Sequence, residues 1–210
     1  MKNLDINVEH VTRVEGHGNI VVSVRDGQLK EARLDIVESP RFFEVMLQGR
    51  KYTDAAWITS RICGICAVSH TTTSIRATED AFGMSPTPQT LLLRKLIFHG
   101  EMMQSHILHV YFLVTPDILG VGSVIPLAGT HKDVVLRALR MKKLANDLCA
   151  VVGGRHVHPV SMTPGGLTRA PDMAALNAIR TRLVDARADM EATVELFRGL
   201  KFPEFERETE

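Results

Sequence analysis

Between Thr87-Pro88 and Thr115-Pro116 the chain carries a long helical stretch with apolar residues around much of its circumference. Thr87 is a good N-cap and Pro88 suits the first helical position, so a helix starts here. It can run unbroken to Val114, where Thr115-Pro116 stops it. Leu91, Leu92, Leu93, Ile97, Met102, Met103, Ile107, Leu108 and Tyr111 surround much of its circumference. A helix apolar on most sides belongs inside a bundle. The fold must therefore supply further helices around it.

The sequence after Ser39-Pro40 supplies them. Residues 41–48, closed by Gly49, and 54–60 read as short helices. Residues 68–82, ended by Gly83, and 132–152, ended by Gly153-Gly154, read as longer ones. Pro171-Asp172 opens a last long helix reaching about residue 199, with Leu176, Ile179, Leu183, Ala186, Met190 and Val194 in one stripe. Residues 117–130 and 155–169, rich in Gly and Pro, read as loops. Residues 4–38 differ: 19–24 is rich in β-branched residues, Asp26-Gly27 signals a hairpin turn, 29–37 alternates roughly, and 5–14 adds a further strand. The class is α+β, an N-terminal β-hairpin layer (1–40) followed by a dominant bundle of long helices (41–200) and a polar tail (201–210).

Composition narrows the function. Lys plus Arg is 25 and Asp plus Glu is 24, a net charge of +1, which gives no electrostatic case for nucleic acid or an anionic membrane. Aromatic residues at 5% weaken a base-stacking role further. No apolar segment is long enough to span a bilayer, and the residues after Met1 contain no signal-like run. Three cysteines build no disulfide framework, so a reducing, cytoplasmic compartment is the expectation. A protein exported with a signal-bearing partner would have the same composition.

Two of those cysteines fall in Arg61-Ile-Cys-Gly-Ile-Cys-Ala-Val-Ser-His70. Cys63 and Cys66 can turn their sulfurs toward one point, with Gly64 easing the turn between them. A helix starting at Cys66 sets His70 one turn further on. Such soft ligands suit a transition metal or redox chemistry. Zinc, an iron–sulfur centre, a dithiol redox pair and buried inert thiols all remain open on spacing alone. A structural zinc would need a fourth ligand from far away. Two more stretches carry chemistry. In Thr12-Arg-Val-Glu-Gly-His-Gly18, strand alternation would put Arg13, Glu15 and His17 on one face, although a solvated sheet face is the blander reading. In Glu38-Ser-Pro-Arg-Phe-Phe-Glu44, Glu44 reads alone as a surface helical charge.

Taken together, R-V-E-G-H, R-F-F-E, R-I-C-G-I-C-A-V-S-H, S-H-I-L-H-V-Y-F-L-V-T-P-D (105–117) and H-P-V-S-M-T-P-G-G (158–166) resemble, in order, the large catalytic subunit of nickel–iron hydrogenases. The related respiratory complex I subunit lacks the cysteines, so Cys63 and Cys66 place the resemblance on the hydrogenase branch. The resemblance implies reversible oxidation of dihydrogen to protons and electrons. Cys63 resembles a terminal nickel ligand, and Cys66 the thiolate bridging nickel to an iron that carries carbon monoxide and cyanide. His70 resembles a donor to the bridging sulfur, and Arg61 a residue that positions the loop against an iron–sulfur small subunit. Glu15 resembles the carboxylate that takes the proton from a nickel-bound thiolate, and Glu44 a ligand of the family's Mg2+ site. His106 and His109 are expected in core or supporting roles, Cys149 as an ordinary buried thiol, and His156 and His158 on a proton or subunit-contact path.

The family binds nickel with four cysteines, the second pair in a C-terminal D-P-C-x-x-C-x-x-H motif that this sequence lacks. The missing thiolates are expected from a C-terminal half or complementary chain carrying the second C-x-x-C. The alternative function is a non-catalytic subunit of a related redox complex, with the cysteine pair empty or holding zinc. A dithiol redox protein is a third reading, against which the helix-rich surroundings argue.

Overall fold

The computed structural model describes residues 3–12, 14–202 and 204. Arg13 and most of the polar tail lie outside the described residues. The chain divides into two compact units, Met1–Gln48 and Gly49–Glu210.

The first unit is an antiparallel sheet in the order β1-β2-β3, built from β1 (Leu4–Val8), β2 (Gly18–Arg25) and β3 (Gln28–Ile36), followed by helix α1 (Pro40–Leu47). The β2–β3 turn is the predicted Asp26-Gly27. Both residues have positive φ, 53° and 78°, the twist that lets two strands continue antiparallel. Register pairs Ile6 with Val22, Val8 with Ile20, and Ile20 with Leu34, which gathers the apolar side chains on one face. The opposite face is polar: Asp5 accepts from Ser23 Oγ at 2.7 Å and from Arg25 Nη2 at 2.8 Å.

The first strand is shorter than the sequence predicts, and the R-V-E-G-H stretch is not a strand. After Val8 the chain leaves the sheet, and residues 12–16 form bends wherever they are described. Gly16 sits at φ 83°, a left-handed conformation that breaks an extended run. The excursion is closed by Val11 N–H donating to Gly18 O at 2.9 Å. Glu15 and His17 therefore do not alternate on a sheet face.

The second unit is the helical bundle. Its elements are α2 (Tyr52–Thr59), a 3-10 turn (Ser60–Ile62), α3 (Ala67–Phe82), α4 (Pro88–Leu108), α5 (Thr115–Ile118), α6 (Leu127–Thr130), α7 (Lys132–Gly153), a two-residue hairpin β4 (Met162–Thr163) and β5 (Gly166–Leu167), α8 (Met173–Asp185) and α9 (Arg187–Arg198). Thr87 caps α4 as predicted, its hydroxyl accepting from Thr90 N at 3.2 Å. One core joins Val68 and Ile75 of α3, Ile97 of α4, Leu144, Leu148 and Val152 of α7, and Ile179 of α8. Each fully buried Ile or Leu of this kind contributes about 1.5–3 kcal/mol. A second core joins Ile107 and Tyr111 to Ala138, Met141 and Ala145.

Three helix expectations are revised. Thr115-Pro116 does not stop the fourth helix. His109–Val114 widens to a π-helix, Thr115 Oγ1 donates back five residues to Val110 O at 2.8 Å, and the chain goes on to Ile118. The wider turn makes room for a proline ring that would otherwise meet the preceding turn. The last helix breaks at Ala186 into α8 and α9, which shifts its buried stripe. Met190 and Val194 are exposed, while Thr193 is buried and Leu196 packs on the second core.

The orientation of α4 is the third. Its buried face holds Thr90, Arg94, Ile97, Gly100, Glu101, Gln104 and Ile107, whereas Leu91, Leu92, Phe98 and Met102 are exposed. The helix sits in the bundle, but it turns its polar residues inward and a row of apolar ones outward. The inward groups have fixed partners on α3, the β4–β5 hairpin and α7.

Candidate metal centre

The cysteine loop is anchored at its N-terminal side before its sulfurs matter. The Ser60 hydroxyl donates to Trp57 O at 2.8 Å, and Ser60 O accepts from His158 Nδ1 at 2.8 Å, so that ring nitrogen carries the proton. His158 itself has φ 54° and anchors the H-P-V-S loop against the 3-10 turn that precedes Cys63. This gives His158 a concrete task, holding the cysteine loop.

Cys63 is extended, with φ −149°, and Cys66 is the N-cap of α3. An extended residue and a helix-start residue three positions apart direct their side chains to one point. The two sulfurs meet as a disulfide in this structure, with Cα atoms 5.5 Å apart. Cysteine count alone predicts no such pairing; the extended Cys63 and the helix-start Cys66 bring the two sulfurs together. Gly64 is not what permits the turn, since its φ is not positive and a Cβ there would meet nothing within 4 Å. The Cys66 N–H donates to Cys63 Sγ at 3.2 Å. Cys63 is buried at 7% exposure.

His70 lies in the first turn of α3, with its N–H on Cys66 O at 3.1 Å, as predicted. The ring acts electrostatically on Glu101, a carboxylate on α4, in the direction that favours its ionised form. Glu101 is 3% exposed and accepts from Val68 N at 2.6 Å, from Ser69 N at 3.0 Å and from the Ser69 hydroxyl. Burial pushes its carboxyl above the ordinary range, against the opposing pull of these hydrogen bonds. It forms no ion pair with Lys or Arg among the described residues.

At the other end of α3, Glu79 holds a second buried carboxylate. It pairs with Arg94 through two bonds, 2.9 Å and 2.6 Å, and accepts from Gly165 N at 2.7 Å. Arg94 also donates to Thr163 O at 3.0 Å. The guanidinium holds the Glu79 carboxyl below its usual range. This pair fastens the β4–β5 hairpin to the bundle.

The remaining candidates are distributed as follows. Glu15 is exposed on the excursion between β1 and β2. That excursion is tied by Glu38, whose Oε1 accepts from His17 N at 2.9 Å and meets His17 Nδ1 at 2.8 Å. The His17 contacts hold the Glu38 carboxyl below its ordinary range. Glu44 is exposed on α1, and Arg61 is exposed beside the cysteine loop. His106 and His109 are exposed rather than core, because the inward positions of α4 are taken by Glu101, Gln104 and Ile107. Cys149 is the predicted buried thiol: it packs against Gly100, where an added Cβ would lie 2.8 Å from its sulfur, and burial pushes it up to about 12.

Among the described residues no three His, Cys, Asp or Glu side chains converge on one point. The chain thus offers a converging pair of sulfurs, which fits two thiolate positions of a larger metal site and leaves the other positions to other donors. Sequence reasoning missed Glu101, Glu79 and Arg94. The available signal was Arg94, Glu101 and Gln104 recurring at three- and seven-residue spacing along a helix otherwise read as apolar.

The profile of the nickel-dependent hydrogenase family matches residues 41–134, and a HoxL-like profile matches residues 5–39. The alpha subunit of sulfhydrogenase 1 from Pyrococcus furiosus is 36% identical over 203 residues, 96% of this chain and 47% of that protein. The large subunit of the periplasmic [NiFeSe] hydrogenase of Desulfomicrobium baculatum is 34% identical over 189 residues, 79% of this chain and 37% of its own. Among solved structures, an NAD+-reducing [NiFe]-hydrogenase in the H2-reduced state superimposes with a TM-score of 0.85 at 29% identity, covering 93% of this chain and 45% of that one. The chain spans less than half the length of these relatives.

Proposed function

The chain belongs to the nickel-dependent hydrogenase family, and we propose that it serves as part of a large subunit that reversibly oxidises dihydrogen to protons and electrons. The observation that carries this reading is the convergence of the Cys63 and Cys66 sulfurs on one point at the start of α3. When bound, a nickel–iron centre with carbon monoxide and cyanide on iron supplies the heterolytic cleavage. Cys63 and Cys66 would hold that centre as thiolates, Cys63 as the terminal ligand and Cys66 as the bridging one. Thiolates also require the pair to be reduced in the working protein.

Glu15 takes a proton on a carboxylate oxygen and passes it on. A mobile proton needs a carboxylate presented at a fixed place, and the knot of Glu38, His17 and Gly16 supplies that for the Glu15 excursion. His70 lends charge or a hydrogen bond to the bridging thiolate, and such partners tune a metal thiolate. Glu44 contributes an oxygen ligand to Mg2+. Arg61, exposed beside the loop, faces an iron–sulfur small subunit that carries the electrons away.

Two further thiolates come from a C-terminal half or complementary chain with a second C-x-x-C. The outward apolar row of α4 (Leu91, Leu92, Phe98 and Met102) supports such a complement, since apolar surface of this kind is normally covered. The complex is a heteromer placed in the cytoplasm. No helix among the described residues is long and apolar enough to cross a membrane.

A second reading is favoured by one observation. With only two converging sulfurs, the chain alone has half a ligand set, which also suits a non-catalytic subunit holding zinc or nothing. Changing Cys66→Ser separates the two. On the hydrogenase reading it abolishes hydrogen uptake by the purified complex while helical content stays constant. Uptake that survives the change refutes the bridging role.

A further inference from the structure

A helix beginning at Ala67 leaves its first amides without partners inside the helix. The residue placed to satisfy them is the N-cap, and here the N-cap is Cys66. Cysteine can serve that role only by turning its sulfur back over the helix. In this protein the Cys66 sulfur turns instead to Cys63, and the side chain makes no capping bond. The amides of Val68 and Ser69 are met from another helix, by the two oxygens of Glu101 at 2.6 Å and 3.0 Å. The Ser69 hydroxyl donates to the same carboxylate.

This arrangement has a cost that a merely structural cap would avoid. A carboxylate at 3% exposure with no Lys or Arg ion pair among the described residues is an expensive way to satisfy two amides, because burial disfavours its charge. A serine or aspartate at position 66 would do the same locally. That choice is closed if position 66 must present a sulfur away from its own helix. Gly100, next to Glu101, lets α4 approach α7 closely, since a Cβ there would lie 2.8 Å from Cys149 Sγ and 3.2 Å from Leu148 Cγ.

We propose that Glu101 is a positioning residue for the cysteine pair: by capping α3 from α4, it frees the Cys66 sulfur to face Cys63 and share a metal with it. The proposal rests on the reading of Cys63 and Cys66 as metal thiolates, and it concerns geometry within this chain.

The test uses the full 210-residue chain, reduced, and titrated with Co2+, whose thiolate complexes absorb in the near ultraviolet. The unaltered chain, Glu101→Gln and Glu101→Ala are compared. Thr193→Val serves as the control, because it removes a buried hydrogen bond to Tyr111 far from α3. Residues that orient metal ligands typically account for about 10- to 100-fold in affinity. The Gln variant, which keeps one acceptor oxygen and loses the charge and the second acceptor, should bind Co2+ roughly 10-fold more weakly, with a shifted absorption band, and the Ala variant weaker still. Amide exchange at Val68 and Ser69 should accelerate in both, while Thr193→Val binds Co2+ as the unaltered chain does. Unchanged Co2+ affinity and band in Glu101→Gln would overturn the proposal, as would an unaltered chain with no thiolate absorption. A cobalt effect in a chain whose purified complex contains zinc and no nickel would defeat the hydrogenase reading and leave this one standing.

Discussion

Helix α3 meets a buried carboxylate at each pole, its own Glu79 at one and Glu101 of α4 at the other, and the two are solvated by the protein in opposite ways. Glu79, near the C-terminal end, faces the Arg94 guanidinium through two hydrogen bonds and sits below its ordinary acidity range. Glu101, at the N-terminal end, faces two amides and a hydroxyl, and sits above that range. A neutralised pair is the economical way to bury charge for fastening, and Glu79 fastens the β4–β5 hairpin through Gly165. A carboxylate with no Lys or Arg partner among the described residues is poorly suited to fastening. Its position beside the cysteine end of the helix agrees with the positioning role proposed for it, which would make one pole of the helix structural and the other part of the site.

The largest test of that contrast removes the cation. Arg94→Ala leaves Glu79 buried and unpaired, which should cost about 3–5 kcal/mol of folding stability by urea unfolding. A loss below about 1 kcal/mol would mean the pair is not a structural anchor. Glu101→Gln should cost less, about 1–2 kcal/mol, because the lost charged hydrogen bonds are offset by relief of a buried charge. If it costs as much as Arg94→Ala, the two poles are alike and the contrast fails. Between these lies Gly100→Ala, which forces a Cβ against Cys149 and Leu148 and should cost about 1–3 kcal/mol. The double change Gly100→Ala with Cys149→Ala should recover part of that loss.

The smallest effect is the pH dependence, and its sign differs between the poles. Glu79 has a lowered folded-state value, so its contribution is complete above the ordinary 4.5 and is lost as pH falls through the lowered folded value. Glu101 has a raised folded-state value, so its burial weakens the fold as pH rises from the ordinary 4.5 through the raised folded value. Compared with the unaltered chain, Glu101→Gln should therefore gain relative stability as pH climbs through that window. A stability difference that is flat across it would contradict the assigned cause.

Much of the fold could be read from patterns that are local. The Asp26-Gly27 turn, the Thr87-Pro88 helix start and the Gly83 and Gly154 helix ends all follow from backbone preferences of single residues. The irregular excursion around Gly16 was not legible, because the tie that closes it runs from His17 to Glu38, twenty-one residues on. The orientation of α4 was hidden for a different reason. Its apolar residues outnumber its polar ones, yet Arg94, Glu101 and Gln104 have partners elsewhere in the chain, and those partners decide which face turns inward. In the site, Cys63, Cys66 and the helix running to His70 follow from spacing. The cap on that helix comes from a residue more than thirty positions away, beyond any local pattern.

On the proposed function, Cys63 and Cys66 supply half of a nickel–iron ligand set. The direct measurement is metal content and infrared absorption of the complex that copurifies with this chain. Nickel and iron together, with bands from carbon monoxide and cyanide that vanish in Cys66→Ser, are the predicted result. Zinc alone, with no such bands and no hydrogen uptake, would contradict it.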